Sequence, residues 1–170
     1  MDILALLLFL LPVYIANSSP VVLGGGIAID LGEKFFDKKR ILGKGKTVRG
    51  FIAGVVCGTV AGVIIAMVYP LEFFSTTTLQ MIGAFAVSLG TMTGDSLGSF
   101  IKRRFDVGSG KPFIIDTALF LAIALIFIYP FAEPVIYSPE NLLFMFGITI
   151  IMHPAANLVA NKMGLKNVPW

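Results

Sequence analysis

Asp95, Ser99 and Lys102 fall at i, i+4 and i+7 in TGDSLGSFIKRR, a spacing that stacks side chains on one helix face. A carboxylate and a cation on one stripe suit two kinds of chemistry. They can close an ion pair at a membrane edge, or they can handle phosphate, the acid holding a divalent cation and the base meeting phosphate oxygens. Asp116, in FIIDTALFLAIALIFIY, offers a second carboxylate. It follows Pro112 by at least one turn of an apolar helix, too deep to cap it. An ionised side chain there costs about 2.5 kcal/mol or more at the bilayer centre and less toward the edge. It needs a cation, a metal or a water-filled cavity, and a salt bridge to Arg103 or Arg104 is the plainer reading. Magnesium is usually held by one or two carboxylates together with substrate phosphates and water. Asp95 and Asp116 are therefore the candidate metal ligands, with Lys102 and Arg103 as catalytic phosphate contacts.

A basic loop, RILGKGKTVRG, adds Lys44, Lys46 and Arg49 between glycines that free the backbone. Lys46 and Thr47 are candidate nucleotide-binding residues, with Arg49 and Lys111 as weaker ones. A phosphate-binding P-loop is excluded, because Arg40 stands where its first glycine is required and no strand precedes it. A solvated basic loop is the bland alternative. Asn17-Ser18-Ser19-Pro20 interrupts the first apolar run. Broken helices often line binding sites in membranes, which places Asn17 and Ser18 near a nucleotide or lipid head group. A proline kink with locally satisfied hydroxyls is the competing expectation. His153, Asn157 and Asn161 recur at i+4 as a polar stripe on the last apolar run, to which no role is assigned.

These residues need a membrane to hold them. The chain has 170 residues, 56% hydrophobic and 14% charged, against about 45–50% and 25% in globular proteins. The single cysteine, Cys57, excludes an intrachain disulfide and a cysteine metal cage. Apolar runs predict an all-α polytopic protein, one integral membrane domain over residues 1–170. Its five transmembrane helices lie near residues 3–27, 50–70, 77–101, 112–131 and 141–161. Every Lys and Arg falls within Lys34–Arg49, Lys102–Lys111 or Lys162–Lys166. The positive-inside rule then places the loops near residues 28–49 and 102–111 and the C-terminus in the cytoplasm, with the N-terminus outside. Gly50, Gly54, Gly58 and Gly62 form a small-residue packing face, used within the protomer or in a homodimer.

GDSLGSFIKRR resembles the signature of the membrane cytidylyltransferases of the phosphatidate cytidylyltransferase family, G-D-x-x-x-S-x-x-K-R. Gly94, Asp95, Ser99, Lys102 and Arg103 meet it, and Lys46, Thr47 and Gly50 meet the loop pattern K-T-x-x-G. The bacterial His-Gly-Gly segment and Asp-Arg-x-x-Asp ending are replaced by GSGKPFIIDTAL, with Asp116 present and no later carboxylate. From about Asn17 to Asp116 the chain is similar to the archaeal branch, the CDP-archaeol synthases. The resemblance implies transfer of a cytidylyl group from CTP to an unsaturated archaeal ether-lipid phosphate of the geranylgeranyl glycerol type. Pyrophosphate would be released, with Mg2+ as cofactor. The implied partners are CTP, the lipid phosphate and the bilayer, and no nucleic acid; the implied site is a multi-pass cell-membrane protein's cytoplasmic face. The residues alone leave two other functions open, a small transporter or channel with an Asp116 and His153 path, or a nucleotide-dependent lipid kinase.

Overall fold

A computed structural model describes residues 1–108, 111 and 114–166. Five long helices follow the five apolar runs: α1 (Ile3–Leu23), α2 (Val48–Val68), α3 (Thr77–Arg104), α4 (Ile114–Ile128) and α5 (Pro139–Lys162). Among the described residues there is no strand, only two isolated antiparallel bridges, Ala28 with Thr47 and Lys34 with Arg40. The sequence expectation of a fourth span beginning at residue 112 falls partly outside the described residues. Side chains start three of the helices. Asp2 accepts from Ala5 N, Thr47 from Gly50 N and Thr76 from Leu79 N, each at 3.1 Å, satisfying donors that a helix N-terminus leaves open.

Helices α1, α2 and α5 are long and apolar enough to cross a bilayer. α3 is longer, at 28 residues, but its glycines, hydroxyls, Asp95 and terminal cations dilute its apolar character. Its length of about 42 Å at 1.5 Å per residue exceeds a hydrocarbon core of about 30 Å, so its basic last turn can stand in the head-group region.

Tight seams join the first four helices. Gly50, Gly54, Gly58 and Gly62 are all buried on one face of α2, while Ile52, Val56, Val60 and Ile64 are each more than half exposed on the other. A Cβ at Gly58 would lie 2.9 Å from Pro12 O and 2.5 Å from Ser88 Oγ, and one at Gly62 would lie 2.5 Å from Ala84 Cβ. The glycine face is thus filled by α1 and α3 of the same chain. Of the two uses expected of this face, packing within the protomer is the one formed.

α1 also departs from expectation. It runs unbroken through Asn17-Ser18-Ser19-Pro20 to Leu23. Ser19 Oγ donates to Ile15 O at 2.6 Å, and Ser18 Oγ to the same carbonyl at 3.4 Å. Proline removes one amide donor, which frees the carbonyl four residues earlier. That carbonyl, Ala16 O, faces α2 where a Cβ on Gly54 would come within 2.7 Å. The hydroxyls are satisfied locally and the helix continues, so the broken helix does not form.

At the end away from the basic loops, Phe9 meets Phe73 edge-on with centroids 6.1 Å apart. Phe73, Ile128 and Ile136 are fully buried at this end. Gln80 is consumed here, accepting from Leu71 N at 2.9 Å and donating to Tyr69 O at 3.3 Å to close the turn between α2 and α3. Tyr14 and Thr149 share a 2.9 Å hydrogen bond that ties α5 to α1.

Candidate active site at the basic end of the bundle

The loop between α1 and α2, residues 24–47, is built around a buried acid. Gly25 and Gly26 take positive φ (97° and 80°) to turn the chain out of α1. Ile29 N then donates to Lys46 O, and Val48 N to Ile27 O, closing the loop's base beside Lys46. Asp30, only 6% exposed, accepts from Gly32 N, Leu42 N, Gly43 N and both Nε and Nη2 of Arg40. The Arg40 guanidinium outweighs burial and, with the three amides, holds the Asp30 carboxyl far below the usual carboxylate range. A depressed folded-state value means that the stabilisation is present above the ordinary carboxylate pKa of about 4 and is lost only as pH falls through the folded value. Asp30→Asn should therefore loosen this loop at neutral pH by about 1–3 kcal/mol, since Arg40 loses its partner. Limited proteolysis should cut residues 24–47 faster in the variant; an unchanged rate would show that other contacts hold the loop.

The C-terminal turn of α3 clamps that loop from below. The Arg104 guanidinium lies 5.1 Å from the Phe35 ring and 4.7 Å from the Phe100 ring. It donates to Arg40 O at 2.6 Å and sits 3.0 Å from Asp37, while Lys39 pairs with Asp106 at 2.7 Å. Arg104 is thereby committed to the loop. The simple reading in which it neutralises Asp116 is not what the structure holds.

Each candidate metal ligand has a lysine instead. Lys46 Nζ donates to Asp95 Oδ2 at 2.5 Å, and Lys102 Nζ to Asp116 Oδ2 at 2.7 Å. All four side chains are partly shielded, between 11% and 25% exposed. Glycines bring α4 close enough for this. A Cβ at Gly90 would lie 2.8 Å from Ala124 Cα, one at Gly94 2.6 Å from Leu119 O, and one at Gly98 2.9 Å from Asp116 Oδ1. Asp116 thus lies against Gly98, about 4.5 Å along the α3 axis from Asp95. Its Oδ1 is buried with no hydrogen-bond partner among the described residues. His153 lies within electrostatic reach of Asp95, Asp116, Lys46 and Lys166.

The other candidates divide. Thr47 caps α2, so its oxygen serves the helix first. Arg49 is exposed and lines an apolar groove of about 650 Å3 with Leu23, Ile27, Val48, Ile52, Ala53, Val56 and Cys57. Arg103 keeps its Nε buried without a hydrogen-bond partner among the described residues. Lys111 is exposed between α3 and α4. Asn17 Nδ2 lies 3.3 Å from His153 Nδ1, joining α1 to α5 rather than opening a cavity. Ser18 is exposed and bonds only its own helix in the contacts described. Lys166, absent from the sequence candidates, comes back to this end of the bundle; the cue for it was the Asn157 and Asn161 stripe, which needed a partner.

No group of three or more His, Cys, Asp or Glu side chains forms a ready metal cage among the described residues. Two carboxylates facing several cations form instead an open electrostatic site, suited to an ion that brings phosphates with it. A family model for CarS-like CDP-archaeol synthases matches residues 1–170. A CDP-archaeol synthase of Pyrococcus horikoshii is 46% identical over 163 residues, 95% of this chain and 94% of the relative. That of Methanocaldococcus jannaschii is 39% identical over 173 residues, covering 98% and 96%. A solved structure of an intramembrane enzyme for archaeal membrane lipids biosynthesis superposes with a TM-score of 0.79 at 33% identity, over 92% of this chain and 94% of that one. The chain belongs to the CarS-like family of CDP-archaeol synthases, and it is an enzyme, a membrane transferase of lipid biosynthesis.

Proposed function

We propose that the protein transfers a cytidylyl group from CTP to an archaeal ether-lipid phosphate, releasing pyrophosphate, at the site between α3 and α4. The observation that carries this reading is the double pairing, Lys46 with Asp95 and Lys102 with Asp116, at one end of an apolar bundle. Two anions must meet in this reaction, so catalysis rests on positioning and charge neutralisation.

The residues present fit a divalent cation. Asp116 presents a buried oxygen with no hydrogen-bond partner among the described residues, and Gly98 leaves the space beside it that a Cβ would fill. Asp95 and Asp116 would hold Mg2+, which when bound neutralises phosphate charge and polarises the reacting phosphoryl group. Lys46 and Lys102 have flexible four-carbon stems, and either ammonium can exchange its carboxylate for a phosphate oxygen by rotation about its own bonds. A lipid phosphate is ionised near neutral pH, so no strong base is required to activate it. Its oxygen attacks the α-phosphorus of CTP; the new P–O bond forms as the bond to the β-phosphate bridging oxygen breaks, and the electron pair leaves with pyrophosphate.

Five membrane spans are proposed, with α3 and α4 crossing beside α1, α2 and α5 as one integral domain. The basic end then faces the cytoplasm, where CTP is, because all thirteen Lys and Arg lie in the segments at that end. The groove between α1 and α2 supplies a lateral opening for the tails, with Arg49 at its polar mouth.

Incubating the purified protein with a divalent cation, the lipid phosphate and each of the four ribonucleoside triphosphates tests the reading. Pyrophosphate release with CTP alone is expected. Nucleoside diphosphate release would identify a lipid kinase, and no turnover with any nucleotide would sink the transferase mechanism.

A further inference from the structure

Cytidylyl transfer as described asks Lys46 to leave Asp95 for a phosphate. That ion pair, at 2.5 Å, is one of two places where the loop between α1 and α2 is tied to α3. The other lies at Arg104, nine residues further along α3 and about 14 Å away at 1.5 Å per residue. Once Lys46 lets go of Asp95, the second tie holds the loop against the helix.

The contacts at that tie run in both directions. The Arg104 guanidinium lies between Phe100 of its own helix, 4.7 Å away, and Phe35 of the loop, 5.1 Å away, and those two rings meet edge-on with centroids 5.3 Å apart. Its Nη2 donates to Arg40 O at 2.6 Å, and its Nε stands 3.0 Å from Asp37 Oδ2. In return Lys39 Nζ donates to Arg104 O at 3.2 Å. A planar, always-charged guanidinium suits this place, because it stacks on rings and donates in its own plane together.

From Arg104 an unbroken run of hydrogen bonds leads to Lys46. Arg40, gripped at its carbonyl by Arg104, donates from its side chain to Asp30. Asp30 also accepts from Leu42 N at 3.0 Å and Gly43 N at 2.8 Å, and Gly43 O accepts from Lys46 N at 3.3 Å. On the far side, Ile29 N donates to Lys46 O at 2.8 Å. The Lys46 backbone is therefore placed by the same folded loop that Arg104 fastens to α3.

We infer that Arg104 is a positioning residue for Lys46, holding the α1–α2 loop on α3 while the Lys46 ammonium exchanges Asp95 for a phosphate of the nucleotide. The inference rests on the cytidylyl-transfer reading.

A double-mutant cycle on the full-length protein in detergent micelles tests it, with CTP affinity read by calorimetry in the presence of Mg2+. Arg104→Met keeps an apolar stem between the two rings and removes the guanidinium. It should weaken CTP binding about 10-fold, the value for one lost charge-assisted hydrogen bond, and leave KM for the lipid phosphate within about twofold. In a Lys46→Met background the same change should weaken CTP binding by less than about twofold, because Arg104 acts through Lys46. A general effect of one positive charge on a polyanion would persist in that background, so additive losses would overturn the inference. So would CTP affinity unchanged by Arg104→Met alone. If Arg104→Met does not elute as the wild type does, Asp37→Asn, which removes the loop's carboxylate from Arg104, takes its place in the cycle with a smaller loss and the same non-additivity. Wild-type protein that binds CTP without turning it over would instead sink the transfer reading beneath.

Discussion

Asp116→Asn is expected to abolish CDP-lipid formation, lowering kcat/KM by at least about 100-fold, while the protein still inserts and purifies normally. The magnitude is that of removing one preorganised electrostatic group from a phosphate or oxyanion site, about 10²–10³. An amide is nearly the same size as a carboxylate, so the contact with Gly98 survives. What vanishes is one negative charge. Lys102, a buried residue, loses the ion pair at 2.7 Å, and the proposed divalent cation would lose one of its two carboxylates. Asp95→Asn should behave alike through Lys46. Initial rates at saturating lipid, with the elution profile as a fold control, decide the matter. Near-normal turnover by either variant would remove that residue from cation binding and leave it as an internal ion pair.

Gly94→Ala should have the second largest effect, and for a mechanical reason. The added Cβ would stand 2.6 Å from Leu119 O and 2.7 Å from Phe120 Cα, both backbone atoms that cannot rotate away. α4 must shift, and a single methyl forced into a packed seam costs about 1–3 kcal/mol. The shift also carries Asp116 away from Gly98 and Lys102. Loss of activity by about tenfold or more should therefore accompany a lower unfolding temperature, because a displacement near 1 Å can cost up to about 10²-fold in positioning. Gly25→Ala separates general fragility from seam damage, since its positive φ disfavours a side chain but nothing stands within 4 Å of its Cβ position. Equal melting and equal activity for Gly94→Ala and the wild type would show that the seam is not close-packed.

Those two substitutions touch different kinds of information. That Asp95, Asp116, Lys46 and Lys102 need partners was legible, because charged groups in an apolar chain are costly. The helix positions were legible too, since long apolar runs bounded by glycine, proline and charge leave few other folds for a chain in lipid. Linear spacing does not show which cation meets which acid. Arg104 was as good a partner for Asp116 as Lys102 on spacing, yet aromatic faces on two elements, Phe35 and Phe100, take its guanidinium. Gly94 and Gly98 stand beside Asp95 in the sequence, and only the neighbouring helix shows that α4 fills the space they leave.

The first helix makes the same point from the opposite direction. Asn17 to Pro20 has the composition of a break, because isolated proline and serine weaken a helix. In the bundle, Ala16 O meets Gly54 and the two hydroxyls turn back to Ile15, so the local defect is absorbed by packing. Lys166 was invisible for a related reason: its return along α5 depends on a reversal at Gly164 and on two amides more than one helical turn away. By itself, then, the order of residues determined an all-helical membrane enzyme and the acids and bases available to it, because solvation in lipid sorts residues by polarity one at a time. Tertiary structure alone decided how those groups pair, since ion pairs and close seams depend on distances between helices that no single helix encodes.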